Sequence, residues 1–185
     1  SQAGNRLGIL PLVFVCAMRG LKKYPLLNSS FKEKDGKSWV EEYSTVHLGI
    51  ATATPQGLMV PVLRNADRLS FRELVQKSDQ LIAKAREGRL DVSELTGGTF
   101  TVNNTGALGA IRSNQIIPHP QSGILAVNRA EKRPVVVQDE VKIRWILPLD
   151  LQFDHRIVDG ETACGFLEEV RRGLEKFNFS EARLN

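Results

Sequence analysis

The residues best suited to acid–base chemistry lie near the end of the chain, in the segment 154–160, which reads Asp-His-Arg-Ile-Val-Asp-Gly. An imidazole has an unperturbed pKa of about 6.5, so His155 can remove a proton near neutral pH. Asp159, four positions later, is close enough to influence the orientation of the ring. The same spacing is typical of a buried histidine followed by an aspartate that caps a helix, and both interpretations stay open at this point.

A strand must bring His155 into position. Apolar residues occupy the odd positions before it, whereas most even positions are polar or charged; the odd series is Val141, Ile143, Trp145, Leu147, Leu149, Leu151 and Phe153. A period of two is the pattern of a half-buried strand. It predicts one long strand over 141–153, with His155 on its inward face and shielded from bulk water.

A second strand gathers polar side chains on one face. In the segment 99–105, Phe100 and Val102 alternate with polar residues, namely Thr101, Asn103 and Thr105. Alternate residues of a strand face opposite sides of the sheet, so these polar groups share a face. The glycines and prolines of the following loop, up to Pro120, allow a close approach of the backbone. The pattern predicts a polar strand face that borders this loop.

The remaining chain alternates between helical and extended patterns. Helices are predicted over 12–23, from the capping box at 70–73 to Gly88, and over 160–177. Asp35-Gly36 predicts a tight hairpin turn. Further strands are predicted over 46–52, 58–63, 123–128 and 134–138. One-sided apolar stripes on the helices predict the α/β class, as a two-layer sandwich in which helices cover a mixed sheet.

The composition is that of one globular domain. The 185 residues are 42% hydrophobic, which is sufficient for a core. The net charge of +4 is spread along the chain without a basic run interleaved with aromatic residues, so we predict no nucleic-acid partner. The longest apolar stretch, 8–18, is too short to span a bilayer. Cys16 and Cys164 are too few for a disulfide framework, and we expect both to be reduced, small core residues.

A metal site is a further possibility, since His155 and Asp159 could both act as ligands. The other two histidines, His47 and His119, lie in other predicted elements, and no cysteine cluster completes a ligand set. We therefore predict no metal. His119, between two prolines, is expected to be a rigid loop residue, and His47 a strand residue.

The segment 154–160 resembles the active-site signature of the dihydrolipoamide acyltransferases of 2-oxo acid dehydrogenase complexes, and chloramphenicol acetyltransferase shares its His-x-x-x-Asp-Gly core. Segments 49–62, 97–106 and 118–121 resemble the same catalytic domain and occur in the family's order. The resemblance implies a chloramphenicol acetyltransferase-like fold and one catalytic domain over residues 1–185. We expect the first segment of that domain, and the lipoyl and subunit-binding domains that precede it in the family, to be absent from these residues.

The resemblance also implies a reaction, the direct transfer of an acyl group between a dihydrolipoyl thioester and coenzyme A in a ternary complex. His155 would take the thiol proton, because a thiol pKa of about 8.5 leaves little thiolate at neutral pH. Asn103 aligns with the family's serine or threonine oxyanion donor, and a carboxamide can donate the same hydrogen bond. Asp159 corresponds to a structural ion-pair partner that holds the active-site loop. Coenzyme A is a substrate, the lipoyl group comes from a separate domain, and no metal is implied.

Family members form trimers with the active sites at subunit interfaces, so His155 is expected from one chain and Asn103 from its neighbour. The implied assembly is a homotrimer that can build a 24-subunit or 60-subunit core, with Leu184 as a candidate C-terminal anchor. The implied partners are the lipoyl domain and the 2-oxo acid decarboxylase and dihydrolipoamide dehydrogenase components, in the bacterial cytoplasm or, alternatively, the mitochondrial matrix.

The identity of the acyl group is less constrained than the reaction. The segments 101–106 and 116–121 most resemble those of the bacterial branched-chain members, which favours a branched-chain 2-oxo acid dehydrogenase complex. Acetyl transfer in a pyruvate dehydrogenase complex is the alternative within the family. A non-catalytic structural scaffold is the alternative of another class.

Overall fold

The computed structural model describes residues 8–177, which form three α-helices, ten strands and short 3-10 turns. The helices are α1 (Ile9–Lys23), α2 (Phe71–Arg86) and α3 (Gly160–Glu175). The strands are β1 (Ser29–Lys34), β2 (Lys37–Glu42), β3 (Leu48–Thr54), β4 (Gly57–Met59), β5 (Val62–Leu63), β6 (Phe100–Asn104), β7 (Gly123–Val127), β8 (Glu131–Val137), β9 (Glu140–Ile146) and β10 (Leu149–Phe153). The predicted anchor Leu184 lies outside the described residues.

The centre of the fold is a mixed six-stranded sheet with the order β10-β7-β6-β3-β4, in which β5 also pairs with β3. Strands β3, β6 and β7 run parallel, whereas β4, β5 and β10 pair antiparallel. All three helices pack against one face of this sheet, and the core between the layers includes Phe100 and Phe166, whose ring centroids are 5.6 Å apart. This arrangement confirms the predicted two-layer α/β sandwich.

Local signals in the sequence form the elements that they predict. The side chains of Ser70 and Glu73 each accept a hydrogen bond from the other residue's backbone N–H, so the capping box opens α2. Asp35 and Gly36 both have positive φ angles, as the tight turn between β1 and β2 requires. At the other end of the chain, Asp159 caps α3 and thereby fixes where the helix begins.

The predicted single strand over 141–153 is wrong. The chain forms β9, breaks at Leu147 and Pro148, and then continues as β10 in the central sheet. Strand β9 pairs with β8 in a separate ribbon whose odd side chains are exposed: Val141 by 74%, Ile143 by 68% and Trp145 by 68%. A proline has no N–H to donate to a strand ladder, so Pro148 favours an interruption here. Alternation indicates a two-faced strand but does not tell which face another element covers.

The two cysteines differ in their surroundings. Cys16 lies in α1 within the core, and burial raises the pKa of its thiol to about 11. Cys164 lies on the exposed side of α3, next to the buried Ala163, so the expectation of a second core cysteine is wrong. Within residues 8–177, no helix is both long enough and apolar enough to span a membrane.

The loop between β6 and β7 is tied to the sheet by a polar network centred on Asp150. The Asp150 carboxylate accepts hydrogen bonds from Arg112 Nη1 at 2.8 Å, from the Ser113 N–H at 3.2 Å and from Asn128 Nδ2 at 2.8 Å. Asn128 Oδ1 in turn accepts from the hydroxyls of Thr105 and Ser113, at 2.9 and 2.7 Å. Burial opposes ionisation, but the hydrogen bonds outweigh it and hold the pKa of Asp150 below its usual value. The network fixes the loop over the end of the sheet.

Replacing Asp150 by asparagine should therefore destabilise the domain. At pH 7, Asp150→Asn should lower the free energy of unfolding by about 1–3 kcal/mol, because an amide donor would face donors of the network. Because the folded-state pKa is depressed, the carboxylate's contribution is complete above the ordinary carboxyl pKa of about 3.9 and is lost as the pH falls through the lower folded-state value.

Urea unfolding from pH 7 down to pH 3 would measure this difference between the two proteins. Asp79→Asn, a change of the same type on the exposed side of α2, serves as the control. Equal stability of Asp150→Asn and the unmodified protein at pH 7 would show that the network does not hold the loop.

Candidate active site

His155 lies in a tight turn between the end of β10 and the start of α3. The turn begins at Asp154, whose N–H donates to the Ser122 carbonyl at 2.8 Å and whose own carbonyl accepts from the N–H groups of Ile157 and Val158. The imidazole is exposed and lies beside the Phe153 ring, with centroids 5.3 Å apart. The predicted inward, shielded position is therefore wrong for the single chain, because the alternation of faces stops where the strand ends at Phe153.

A cleft of about 360 Å³ opens beside this turn. Its walls come from β1, from the loop that precedes β7 and from the end of β10, and they include Phe31, Ile117, His119, Gln121, Phe153 and His155. The cleft thus places the imidazole of His155 on the wall of a space that a small substrate group could enter. The prediction of His119 as a loop residue is confirmed, and His119 shares this cleft with His155.

Gln121 is a site residue that the sequence pattern did not reveal as one. It is 8% exposed, and its Oε1 accepts a hydrogen bond from the buried Thr101 hydroxyl at 2.6 Å. The contact joins the cleft wall to the polar face of β6. Its two residues lie in different elements, so no local spacing signal could have found the pair.

Arg156 also lines the cleft. Its Nε donates to both carboxylate oxygens of Asp154, at 2.9 and 3.1 Å, and its guanidinium lies 4.2 Å from the centroid of the Phe31 ring. Hydrogen bonding from Arg156 lowers the pKa of Asp154. The guanidinium of Arg156, next to His155, therefore pairs with Asp154 and not with Asp159.

Asp159 acts as the N-cap of α3. Its Oδ1 accepts a hydrogen bond from the Thr162 N–H at 2.8 Å. The hydrogen bonds from Thr162 lower the pKa of Asp159, and the charge interaction with His155 adds a smaller effect in the same direction. Within residues 8–177, no hydrogen bond joins Asp159 to His155. The capping interpretation is confirmed, and the carboxylate contributes a nearby negative charge to the imidazole.

Asn103 lies on the polar face of β6, away from the His155 cleft. It is half-buried, and its Nδ2 donates to Gln115 Oε1 at 3.2 Å. In the register of the sheet, Asn103 pairs with Ala126 on β7, and Ala126 pairs with Asp150 on β10. Phe153 is three residues further along β10, so strand spacings put the Cα atoms of Asn103 and Phe153 about 14 Å apart. One chain therefore does not bring Asn103 and His155 together.

The third histidine has a structural environment. His47 Nδ1 accepts a hydrogen bond from the Asn65 N–H at 3.1 Å. His47 lies one residue before β3 begins, so its prediction as a strand residue is wrong by one position. Burial, and then the charge of Arg64, lowers the pKa of His47. Among the residues that the structure describes, no three histidine, cysteine, aspartate or glutamate side chains form a group that could hold a metal ion.

Comparison with known proteins places nearly the whole chain in one family. Residues 1–181 match the family model of the catalytic domain of 2-oxoacid dehydrogenase acyltransferases. A succinyltransferase component of the 2-oxoglutarate dehydrogenase complex from Cupriavidus necator is 40% identical over 174 residues, covering 94% of this chain and 41% of the relative. An acetyltransferase component of the pyruvate dehydrogenase complex from Staphylococcus epidermidis is 37% identical over 174 residues, covering 94% and 40%. The chain thus spans about two fifths of the length of these curated relatives.

Solved structures show the same fold. A probable dihydrolipoamide acetyltransferase from Listeria monocytogenes has a TM-score of 0.87 at 36% identity, covering 97% of this chain and 75% of that one. The Azotobacter vinelandii dihydrolipoamide acetyltransferase, solved to investigate a serine, a histidine and an asparagine in its catalytic mechanism, has a TM-score of 0.86 at 34% identity, covering 94% and 71%. The cubic core of a pyruvate dehydrogenase complex has a TM-score of 0.85 at 35% identity, covering 94% and 71%.

A more distant structure extends the fold assignment. Chloramphenicol acetyltransferase, with a TM-score of 0.59 at 16% identity, covers 90% of this chain and 78% of its own, and it shares the fold alone. The family match, unlike this likeness, runs through the sequence of nearly the whole chain. The chain therefore belongs to the family of 2-oxoacid dehydrogenase acyltransferase catalytic domains.

Proposed function

We propose that this domain transfers an acyl group between a dihydrolipoyl thioester and coenzyme A, as the catalytic core of a 2-oxo acid dehydrogenase complex. The observation that carries the proposal is the position of His155, a base at the end of β10 on the wall of an open cleft, in a chain that belongs to an acyltransferase family. The Azotobacter enzyme supports the assignment, since its serine, histidine and asparagine have the same spacing along the chain as Asn103, His155 and Asp159 have here.

The proposed reaction needs one base and one oxyanion donor. His155 takes the proton from the coenzyme A thiol while the sulfur attacks the thioester carbonyl, and the Asn103 amide donates a hydrogen bond to the resulting oxyanion. The tetrahedral intermediate collapses by breaking the bond between the carbonyl carbon and the lipoyl sulfur. The imidazolium then returns its proton to that sulfur. Asp159 holds the start of α3 and places a negative charge near the imidazole.

The geometry supports an assembly of several copies. A reacting carbonyl must lie within about 3 Å of its oxyanion donor, with the thiol it meets in reach of the base. Within one chain Asn103 and the strand end next to His155 are too far apart, so a second copy must supply one of the two residues. We propose a homotrimer with three such shared sites. The exposed apolar side chains of β9 offer a surface that another copy could cover.

The acyl group that we propose first is a branched one, because the segments 101–106 and 116–121 most resemble branched-chain members. The similar proteins from Cupriavidus and Staphylococcus are named for succinyl and acetyl transfer, so these two groups are the competing donors. The proposed partners are a lipoyl domain and the 2-oxo acid decarboxylase and dihydrolipoamide dehydrogenase components. We also propose larger cores and a bacterial cytoplasmic location.

Removing the imidazole should abolish turnover. His155→Ala is expected to lower kcat by about 10²–10⁴-fold, the range for loss of a general base. The assay compares branched, acetyl and succinyl dihydrolipoamide thioesters with coenzyme A as acceptor. His119→Ala is the matched control, because it removes an imidazole from the same cleft wall without removing the proposed base. Unchanged turnover in His155→Ala, with the assembly intact by sedimentation, would instead favour a structural scaffold.

Mixing two inactive variants tests whether the site is shared. His155→Ala and Asn103→Ala chains, unfolded and refolded together in equal amounts, should recover about one quarter of the unmodified activity, because one quarter of interfaces then pair an intact His155 with an intact Asn103. The separate variants, refolded alone, give the baseline. If the mixture stays at that baseline while trimers form, the two residues do not act across an interface.

A further inference from the structure

A pair of carboxamides occupies the place where the proposed reaction needs an oxyanion donor. Asn103 Nδ2 donates to Gln115 Oε1 at 3.2 Å, and both side chains are half-buried. Asn103 belongs to β6, whereas Gln115 belongs to the loop between β6 and β7. This loop contacts the polar side chains of β6 at Asn103 and, through Gln121, at Thr101. Within residues 8–177 the Asn103–Gln115 contact is the one side-chain hydrogen bond that each carboxamide makes, and it directly links the proposed donor to the loop.

The carboxamide N–H groups of Asn103 and Gln115 are hydrogen-bond donors, and some of them are available to a substrate. A carboxamide nitrogen carries two hydrogens, and the Gln115 oxygen accepts only one of those on Asn103. Within residues 8–177, the second hydrogen of Asn103 Nδ2 has no partner, nor does the Nε2 group of Gln115. At least one N–H of Asn103 is therefore available for an oxyanion while the other is held.

Holding one hydrogen fixes the direction of the other. A hydroxyl donor can rotate about its C–O bond to follow an oxyanion, but a carboxamide is planar, and its N–H directions follow from the orientation of the whole group. An untethered Asn103 would rotate about its side-chain bonds and would lose that freedom when it met the transition state. A donor that is already oriented avoids this cost at the moment of reaction.

The loop that carries Gln115 is itself anchored. Two residues before Gln115, the Ser113 N–H donates to Asp150 and the Ser113 hydroxyl donates to Asn128. These hydrogen bonds connect the loop to β10 and to the end of β7. They therefore hold the loop backbone two residues before Gln115 in place. A chain of contacts thus runs from the sheet through Ser113 and Gln115 to the amide of Asn103.

We propose that Gln115 is a positioning residue for the acyl transfer, orienting the Asn103 amide toward the oxyanion of the tetrahedral intermediate. The inference rests on the proposed function and extends it to a residue outside the active-site signature. Gln115 acts on the transition state through Asn103, so its removal should affect kcat and leave substrate binding almost unchanged.

The test uses Gln115→Met, which keeps the length of the side chain and removes the acceptor. We expect kcat for transfer to coenzyme A to fall about tenfold, while KM for each substrate changes by less than about twofold. Gln115→Ala gives a second measurement with a smaller side chain. Gln80→Met, the same change on the exposed side of α2, should leave kcat unchanged.

A double-mutant cycle separates positioning from a merely structural role. In an Asn103→Ser background the donor is a rotatable hydroxyl that does not need Gln115, so Gln115→Met should then change kcat by less than about twofold. An equal tenfold loss in both backgrounds would overturn the inference, as would a Gln115→Met protein with unmodified kcat. A wild-type chain no more active than His155→Ala would instead overturn the proposed function, and the positioning role would fall with it.

Discussion

The antiparallel pairing of β10 with β7 is the constraint on which the site depends. Five residue pairs join Leu149–Phe153 to the strand Gly123–Val127 and fix β10 as an edge of the central sheet. Near its start, β10 carries Asp150, which anchors the loop between β6 and β7. Just beyond its end, it carries His155. One short strand therefore positions both the proposed base and the support for the proposed oxyanion donor, and its length keeps the two apart.

The charged groups at the two ends of β10 are stabilised in different ways. Asp150 is a carboxylate with little exposure, which is tolerable only because an arginine, a backbone N–H and an amide all donate to it. Asp154 pairs with Arg156, whose guanidinium also covers the Phe31 ring. Next to His155, the Asp154–Arg156 pair is nearly neutral, and the charge interaction with His155 makes a small contribution to the lowered pKa of Asp159.

The sequence predicted those features whose cause is local. The capping box at Ser70, the turn at Asp35 and Gly36, and the alternation in β6 each depend on residues within a few positions, and the structure confirms them. The prediction of one strand over 141–153 was wrong because apolar and polar residues alternate in the same way in a two-stranded ribbon and in a central sheet. The Thr101–Gln121 and Asn103–Gln115 contacts were not predictable, because they join different elements whose relative placement comes from packing of the whole domain. The roles of His155, Asp159 and Asn103 stay predictions until variants are measured.

Because His155 is exposed in a single chain, the proposed interface would have a chemical role, which is to shield the reacting groups from water. An imidazole open to water competes with solvent for the thiol proton, and an oxyanion in water gains little from one extra donor. A second copy that brought its Asn103 face against the His155 cleft would exclude water from the reacting thioester. It would also place an oriented amide where charge develops. Under this arrangement, assembly creates both the geometry and the low-dielectric surroundings of the site, which neither chain provides alone.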